Sequence, residues 1–145
     1  MNELPFRTVS TPQGPSGGEA FKRGLRGKCP ACGHGNMFRK FLKVADSCPN
    51  CGEELHHHRA DDFPAYLVIV IVGHLLVPIV LAVETDIAPP MWVGMTLWPT
   101  VALGACLALL QPVKGAVVGI QWFLGMHGFE HSKGRRAVQA TAEAG

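Results

Sequence analysis

Charge is what the middle of this 145-residue chain lacks: from Phe63 to Leu110 only Glu84 and Asp86 carry any. A soluble core helix keeps one polar face, and neither half of this stretch has one. The composition therefore points to a bilayer and away from a wholly soluble fold. The first twenty residues lack an apolar segment of the kind that directs secretion. Pro5, Pro12, Pro15, Gly14, Gly17 and Gly18 break them up instead, so they are expected to be a disordered tail, residues 1–20, with no export signal. A large excess of one charge is missing too. A formal net charge of +2 is too mild to indicate a nucleic-acid partner. There is no nucleophile paired with a base, no phosphate-binding glycine loop and no carboxylate pair placed for catalysis, so the expectation is a non-enzymatic protein.

What the chain does have is two apolar runs. Residues 63–83 hold no charge, and 21 residues of helix span roughly 30 Å, the thickness of the hydrocarbon layer. Asp61 or Asp62 can cap this first transmembrane helix, and Pro64 suits its first turn. Pro78 inside the run predicts a kink. An acidic turn, residues 84–90, leads to a second transmembrane helix over residues 91–110. Trp92 and Trp98 fit an interfacial belt at its start, and Pro99 predicts another kink. Residues 111–129 contain a shorter apolar stretch, expected to lie at the interface or to prolong the second helix. Residues 130–145 are polar and expected to be disordered. Eight basic residues fall between residues 21 and 62, four follow Leu110, and the turn between the helices has none. This asymmetry places both termini in the cytoplasm. Gly73, Gly94, Gly104 and Ala105 would allow close helix contacts, leaving room for a homo-oligomer or a membrane-protein partner.

The cysteines carry the strongest motif. Cys29-Pro-Ala-Cys32-Gly and Cys48-Pro-Asn-Cys51-Gly form a duplicated knuckle with fifteen residues between Cys32 and Cys48, spacing that suits a zinc ribbon over residues 21–54. Two cysteines three apart reach one ion only if the chain turns tightly between them. Pro30 and Pro49 preset one angle of that turn, and Gly33 and Gly52 allow the positive φ that follows. In a reducing compartment such pairs bind metal sooner than they form disulfides. The insert holds Met37, Phe38, Phe41, Leu42 and Val44, enough for a short β-hairpin but too little core to fold alone; zinc would supply the rest, on the order of 10 kcal/mol. Lys28, Arg39, Lys40 and Lys43 would offset the two net negative charges of the four-thiolate site. The alternatives are thiol–disulfide exchange at Cys29 and Cys32, for which the usual βαβ context is missing, and a transferable metal site.

Other residues admit a bland and a sharper reading. His56, His57 and His58 lie in the polar connector, residues 55–62, as solvated linker or as a second, weaker metal site. His74, in mid-helix, is expected to be neutral and hydrogen-bonded to the partner helix. Cys106 reads as a small packing residue, Glu84 and Asp86 as exposed loop charges. The basic residues are explained by topology and anionic lipid headgroups. The fold expected is thus a membrane all-α hairpin of two transmembrane helices with a small N-terminal β zinc ribbon.

Several runs together carry a resemblance to a known family: Cys29-Pro-Ala-Cys32-Gly, Phe41-Leu-Lys-Val-Ala-Asp-Ser-Cys48, Asp62-Phe-Pro-Ala-Tyr66, Ala88-Pro-Pro-Met-Trp92, Leu97-Trp98-Pro99 and Gln111-Pro-Val-Lys114-Gly. Over residues 26–121 the chain resembles the bacterial DUF983 proteins. The resemblance implies a ribbon followed by two spans in the bacterial inner membrane. It also implies a gene neighbourhood shared with cytochrome oxidase and its assembly factors, hence an accessory or scaffold role in building a membrane complex. The triple histidine departs from the family's connector, and no family function is carried onto it. Metal handling by His56–His58 beside the ribbon is the other functional expectation.

Overall fold

The computed structural model describes residues 14–57 and 62–143. Among them four helices follow in order: α1 (Gly17–Leu25), α2 (Phe63–Asp86), α3 (Met91–Leu124) and α4 (Glu130–Glu143). The knuckles lie between α1 and α2.

Helix α2 starts with Pro in its first turn. Asp62 occupies the capping position but makes no side-chain cap bond, and Asp61 lies outside the described residues. The helix runs on through Pro78 to Asp86, three residues into the segment read as a turn. Thr85 supports that last turn, its hydroxyl donating to the Leu81 carbonyl at 2.8 Å. Glu84, read as a loop charge, belongs to the helix and accepts from the Trp98 indole N–H at 3.0 Å, tying α2 to the start of α3.

Helix α3 is one continuous rod of 34 residues through Pro99 and Pro112, about 50 Å long. Of the two expectations for residues 111–129, prolongation of the second helix is therefore what occurs, as far as Leu124. Gly125 stops it in the left-handed conformation, φ +68°, with the Met126 N–H closing on the Gln121 carbonyl at 3.0 Å.

The two apolar helices pack along each other and leave their outer faces bare. Ile69, Leu75, Leu81 and Leu103 are each 60% or more exposed. In the most apolar stretch of α2 only 11% is buried, and in that of α3 none. A core helix of a soluble domain would be mostly buried. Two helices this long, apolar and sparsely covered are able to cross a membrane and suggest a membrane protein.

Past Gly115, α3 changes character: Gly115–Gly119, Gln121 and Trp122 are buried. Helix α1 covers them. It corrects the expectation of a tail through residue 20. Ser16 caps it by accepting from the Glu19 N–H at 3.3 Å, and Glu19 pairs with Arg23 one turn on. Ala20 and Gly24 of α1 lie on Gly115 and Gly119 of α3 so closely that backbones touch: a Cβ on Gly24 would sit 2.2 Å from the Gly115 carbonyl oxygen. Each helix contributes a small-x-x-x-small pair, the spacing that lets helix axes approach. Of the glycines named from the sequence, Gly94 lies against α2, where a Cβ would come 3.0 Å from the Glu84 carboxylate. A Cβ on Gly73 or Gly104 would meet nothing within 4 Å.

The segment expected as a β ribbon contains no strand among the described residues. Three isolated bridges stand in its place: Lys28 with Asn36, Phe38 with Val44, and Ser47 with Glu54. The knuckles are the reason, for each spends its backbone bonds on its own turn and leaves too short a pair for a ladder. Its core is shared with the helices. Cys29, Met37, Val44, Cys48 and Leu55 pack with Ala20, Val118, Trp122 and Phe129, so the head and the end of α3 are one unit. Helix α4 corrects the expectation of a disordered C-terminal tail; its Ser132 and Arg136 hold it to this unit.

Candidate metal centre

The two knuckles are built alike. The Gly33 N–H donates to the Cys29 carbonyl at 2.8 Å and the Gly52 N–H to the Cys48 carbonyl at 2.9 Å. Gly33 and Gly52 take φ of +73° and +72°, the conformation their sequence position anticipates. Each turn brings its two thiols to one side.

The four sulfur atoms of Cys29, Cys32, Cys48 and Cys51 all lie within 4.8 Å of one another. Cys29 Sγ is 3.8 Å from Cys51 Sγ, and Cys32 Sγ is 3.8 Å from Cys48 Sγ. A disulfide needs about 2.05 Å, so these are free thiols. A tetrahedral ion with bonds of about 2.3 Å to sulfur requires sulfurs about 3.8 Å apart. The spacing fits a single metal ion.

The surroundings favour metal over solvent. Gly35 leaves room for the cluster, since a Cβ there would come 2.3 Å from Cys48 Sγ. The Asn50 amide lies 3.6 Å from Cys32 Sγ as a donor. Burial pushes the Cys29 thiol well above its ordinary range, against N–H groups of Cys32 and Ala31 that favour the thiolate. Burial raises Cys51 as well. At Cys32 burial acts in the same upward sense, but the N–H groups of Gly35 and His34 and the Asn50 amide outweigh it and bring the thiol down to about 6. A cation bound among them would stabilise all four as thiolates.

Two of the cations expected to offset the site are engaged elsewhere. Lys28 donates to the Asn36 side chain at 2.8 Å, and Arg39 pairs with Asp46 at 3.0 Å. Lys40 and Lys43 are exposed. Arg23 of α1 instead braces the backbone of the first knuckle, its guanidinium donating to the Pro30 and Ala31 carbonyls at 3.1 and 2.9 Å.

Glu53, beside the second knuckle, is the anchor that sequence reasoning missed. Its carboxylate accepts from the Trp122 indole N–H at 3.0 Å and from the Ser132 hydroxyl, and lies 3.5 Å from the Arg135 guanidinium. Arg136 stacks 4.0 Å above the Trp122 ring and donates to the Trp122 carbonyl at 3.0 Å. These partners are 69 and 79 residues from Glu53 in sequence, and no local pattern signals such a pairing.

Of the histidine cluster, His56 and His57 stand with Glu54, their ligand atoms within 4.8 Å of one another. His58 lies outside the described residues. The His57 Nε2–H donates to Glu54 at 2.9 Å, a bond that holds the exposed Glu54 carboxyl below its ordinary range. His56 Nδ1–H donates to the Asp46 carbonyl at 3.3 Å. His74 departs from expectation: it is exposed, and its Nδ1–H donates to the Val70 carbonyl of its own helix at 2.8 Å. Cys106 is partly buried and lines the groove between α2 and α3 with Val72, Gly73 and Ala102.

Comparison with known proteins adds one match. The model of the DUF983 family, described as a protein of unknown function, matches residues 38–122. These include Cys48, Cys51, all of α2, and α3 as far as Trp122, and they begin after Cys29 and Cys32. No curated protein and no solved structure matches the chain. With more than half its length inside that match, the chain belongs to the DUF983 family.

Proposed function

We propose that this protein is a non-enzymatic accessory or scaffold factor for a membrane complex, with a zinc-organised head held at the cytoplasmic face of the bacterial inner membrane. The observation that carries this reading is the gathering of four thiols within 4.8 Å of one another, two of them, Cys29 and Cys48, in a core completed by α3. An ion there orders the head, and the head is rigid with a membrane-crossing rod. Zinc is the ion chosen because it takes four thiolates in a closed tetrahedron and needs no redox partner. The basic residues around the head support the cytoplasmic placement of both termini. A terminal oxidase is the complex that the family resemblance suggests.

The test is affinity purification of the full chain in mild detergent, with zinc and co-purifying proteins measured on the same sample, beside a gene deletion scored for haem–copper oxidase assembly. One zinc per chain, a membrane-complex partner and a loss of assembled oxidase are expected. Normal oxidase in the deletion strain removes that version of the role.

The cluster of Glu54, His56 and His57 favours a second reading, metal handling, with these side chains passing or sensing an ion beside the ribbon. It requires more than one metal equivalent per chain. A single zinc, unchanged in the H56A/H57A variant, would argue against it.

A further inference from the structure

The head has an end near the apolar run of α3 and an end far from it. Glu53 meets α3 at Trp122, whereas Phe38 meets it at Gly115: a Cβ on Gly115 would lie 3.3 Å from the Phe38 ring. Seven residues of helix separate these contacts, about 10 Å. The hairpin therefore points from the Trp122 level back toward the charge-free part of α3. Beyond the Phe38–Val44 bridge, Arg39 N–H closes on the Lys43 carbonyl at 2.9 Å and forms the tip. The Lys43 N–H also donates to the Lys40 carbonyl at 3.3 Å, so the tip is a tight turn just beyond the Phe38 contact, in the direction that these two contacts set, toward the apolar run.

The side chains gathered at this level are of one kind. Phe41 is half exposed at the apex, with Lys40 and Lys43 exposed beside it. Arg26 at the end of α1 is exposed, and Lys114 is next to Gly115. The acid of the insert, Asp46, is already paired with Arg39.

We propose that the tip, residues 39–43, docks on anionic phospholipid headgroups of the leaflet through which α2 and α3 enter the membrane, with Phe41 set among the headgroups and Lys40 and Lys43 on their phosphates. An aromatic wedge between exposed lysines matches an anionic interface in charge and polarity. The surface is also continuous with the lipid around the spans, so docking brings no second membrane into play. The head is then fixed to the bilayer at two places, through α3 and through the tip, and its tilt depends on lipid charge. This inference rests on the membrane-spanning reading.

The test uses the full zinc-loaded chain in nanodiscs of phosphatidylcholine alone or with a third phosphatidylglycerol, read by hydrogen exchange at the amides of residues 39–43. Exchange about tenfold slower in the anionic discs is expected, with the difference lost in K40Q/K43Q while zinc content stays the same. Equal rates in both discs would overturn the proposal. So would protection that survives K40Q/K43Q, which indicates a protein contact such as a second copy, or protection by inorganic phosphate in detergent with none from the anionic discs. Alkaline extraction of the same membranes keeps the two ideas apart. A chain that washes off fails the spanning reading, and a chain that stays but shows no lipid dependence fails only this one.

Discussion

Replacing Gly115 by Ala sets two effects of known size against each other. Gly is worse than Ala in a helix interior by about 1 kcal/mol, so at an unencumbered site the change stabilises. At Gly115 the new Cβ would lie 2.1 Å from the Gly24 carbonyl oxygen and 3.0 Å from its carbon. The obstacle is backbone, held by α1's own hydrogen bonds, and cannot swing aside as a side chain does. Relief requires α1 to move off α3 by about 1 Å, which opens the packing around Ala20 and Val118. Overpacking of this kind costs about 1–3 kcal/mol, so the net effect is a loss of up to about 2 kcal/mol. The assay is hydrogen exchange at residues 20–25 in the zinc-loaded protein, which should speed up by an order of magnitude. Gly134→Ala in α4, with nothing within 4 Å of the new Cβ, is the control and should leave these amides unchanged. Unaltered or slower exchange in Gly115→Ala would refute the crossing of α1 on α3.

Gly35→Ala should weaken metal retention, because its Cβ would meet Cys48 Sγ at 2.3 Å; faster zinc loss to a chelator is the readout. Glu53→Ala leaves the buried Trp122 indole N–H and the Ser132 hydroxyl unsatisfied, a cost of about 1–3 kcal/mol. The amides of α4 should exchange faster while zinc content holds. Zinc uptake at neutral pH should release at least two protons per ion, since burial keeps the Cys29 and Cys51 thiols protonated there, whereas Cys32, at about 6, enters as thiolate. Affinity therefore falls as pH is lowered. Fewer than two protons per ion in a pH-stat titration would contradict this.

The parts legible in the sequence are those whose cause is local. A turn that aims two thiols at one ion is written in five residues, Cys-Pro-x-Cys-Gly. A helix without polar faces is written in its own run of apolar residues. Helix α1 was legible in part: Ser16 and Glu19 have capping-box spacing, but Pro12, Pro15 and the glycines around them dominate that window. Helix α4 is polar and has no apolar stripe, so only its docking through Ser132 and Arg136 shows why it is ordered. The crossing of Ala20 and Gly24 on Gly115 and Gly119 joins residues some 95 apart, and neither pair alone names its partner. The β ribbon was over-read, because the apolar insert that suggests a hairpin does not reveal how many backbone bonds the knuckles take for themselves. His74 found its acceptor one turn back in its own helix.

The most direct measurement of the central claim is metal content and membrane retention on the same preparation, for the natural chain and for Cys48→Ser. The natural chain should carry one zinc per polypeptide and stay in the membrane through alkaline washing. Cys48→Ser should lose the metal, with rapid exchange across residues 26–57, and still stay in the membrane. A natural chain that is metal-free with its thiols oxidised, or one that washes into the soluble fraction, would contradict the account.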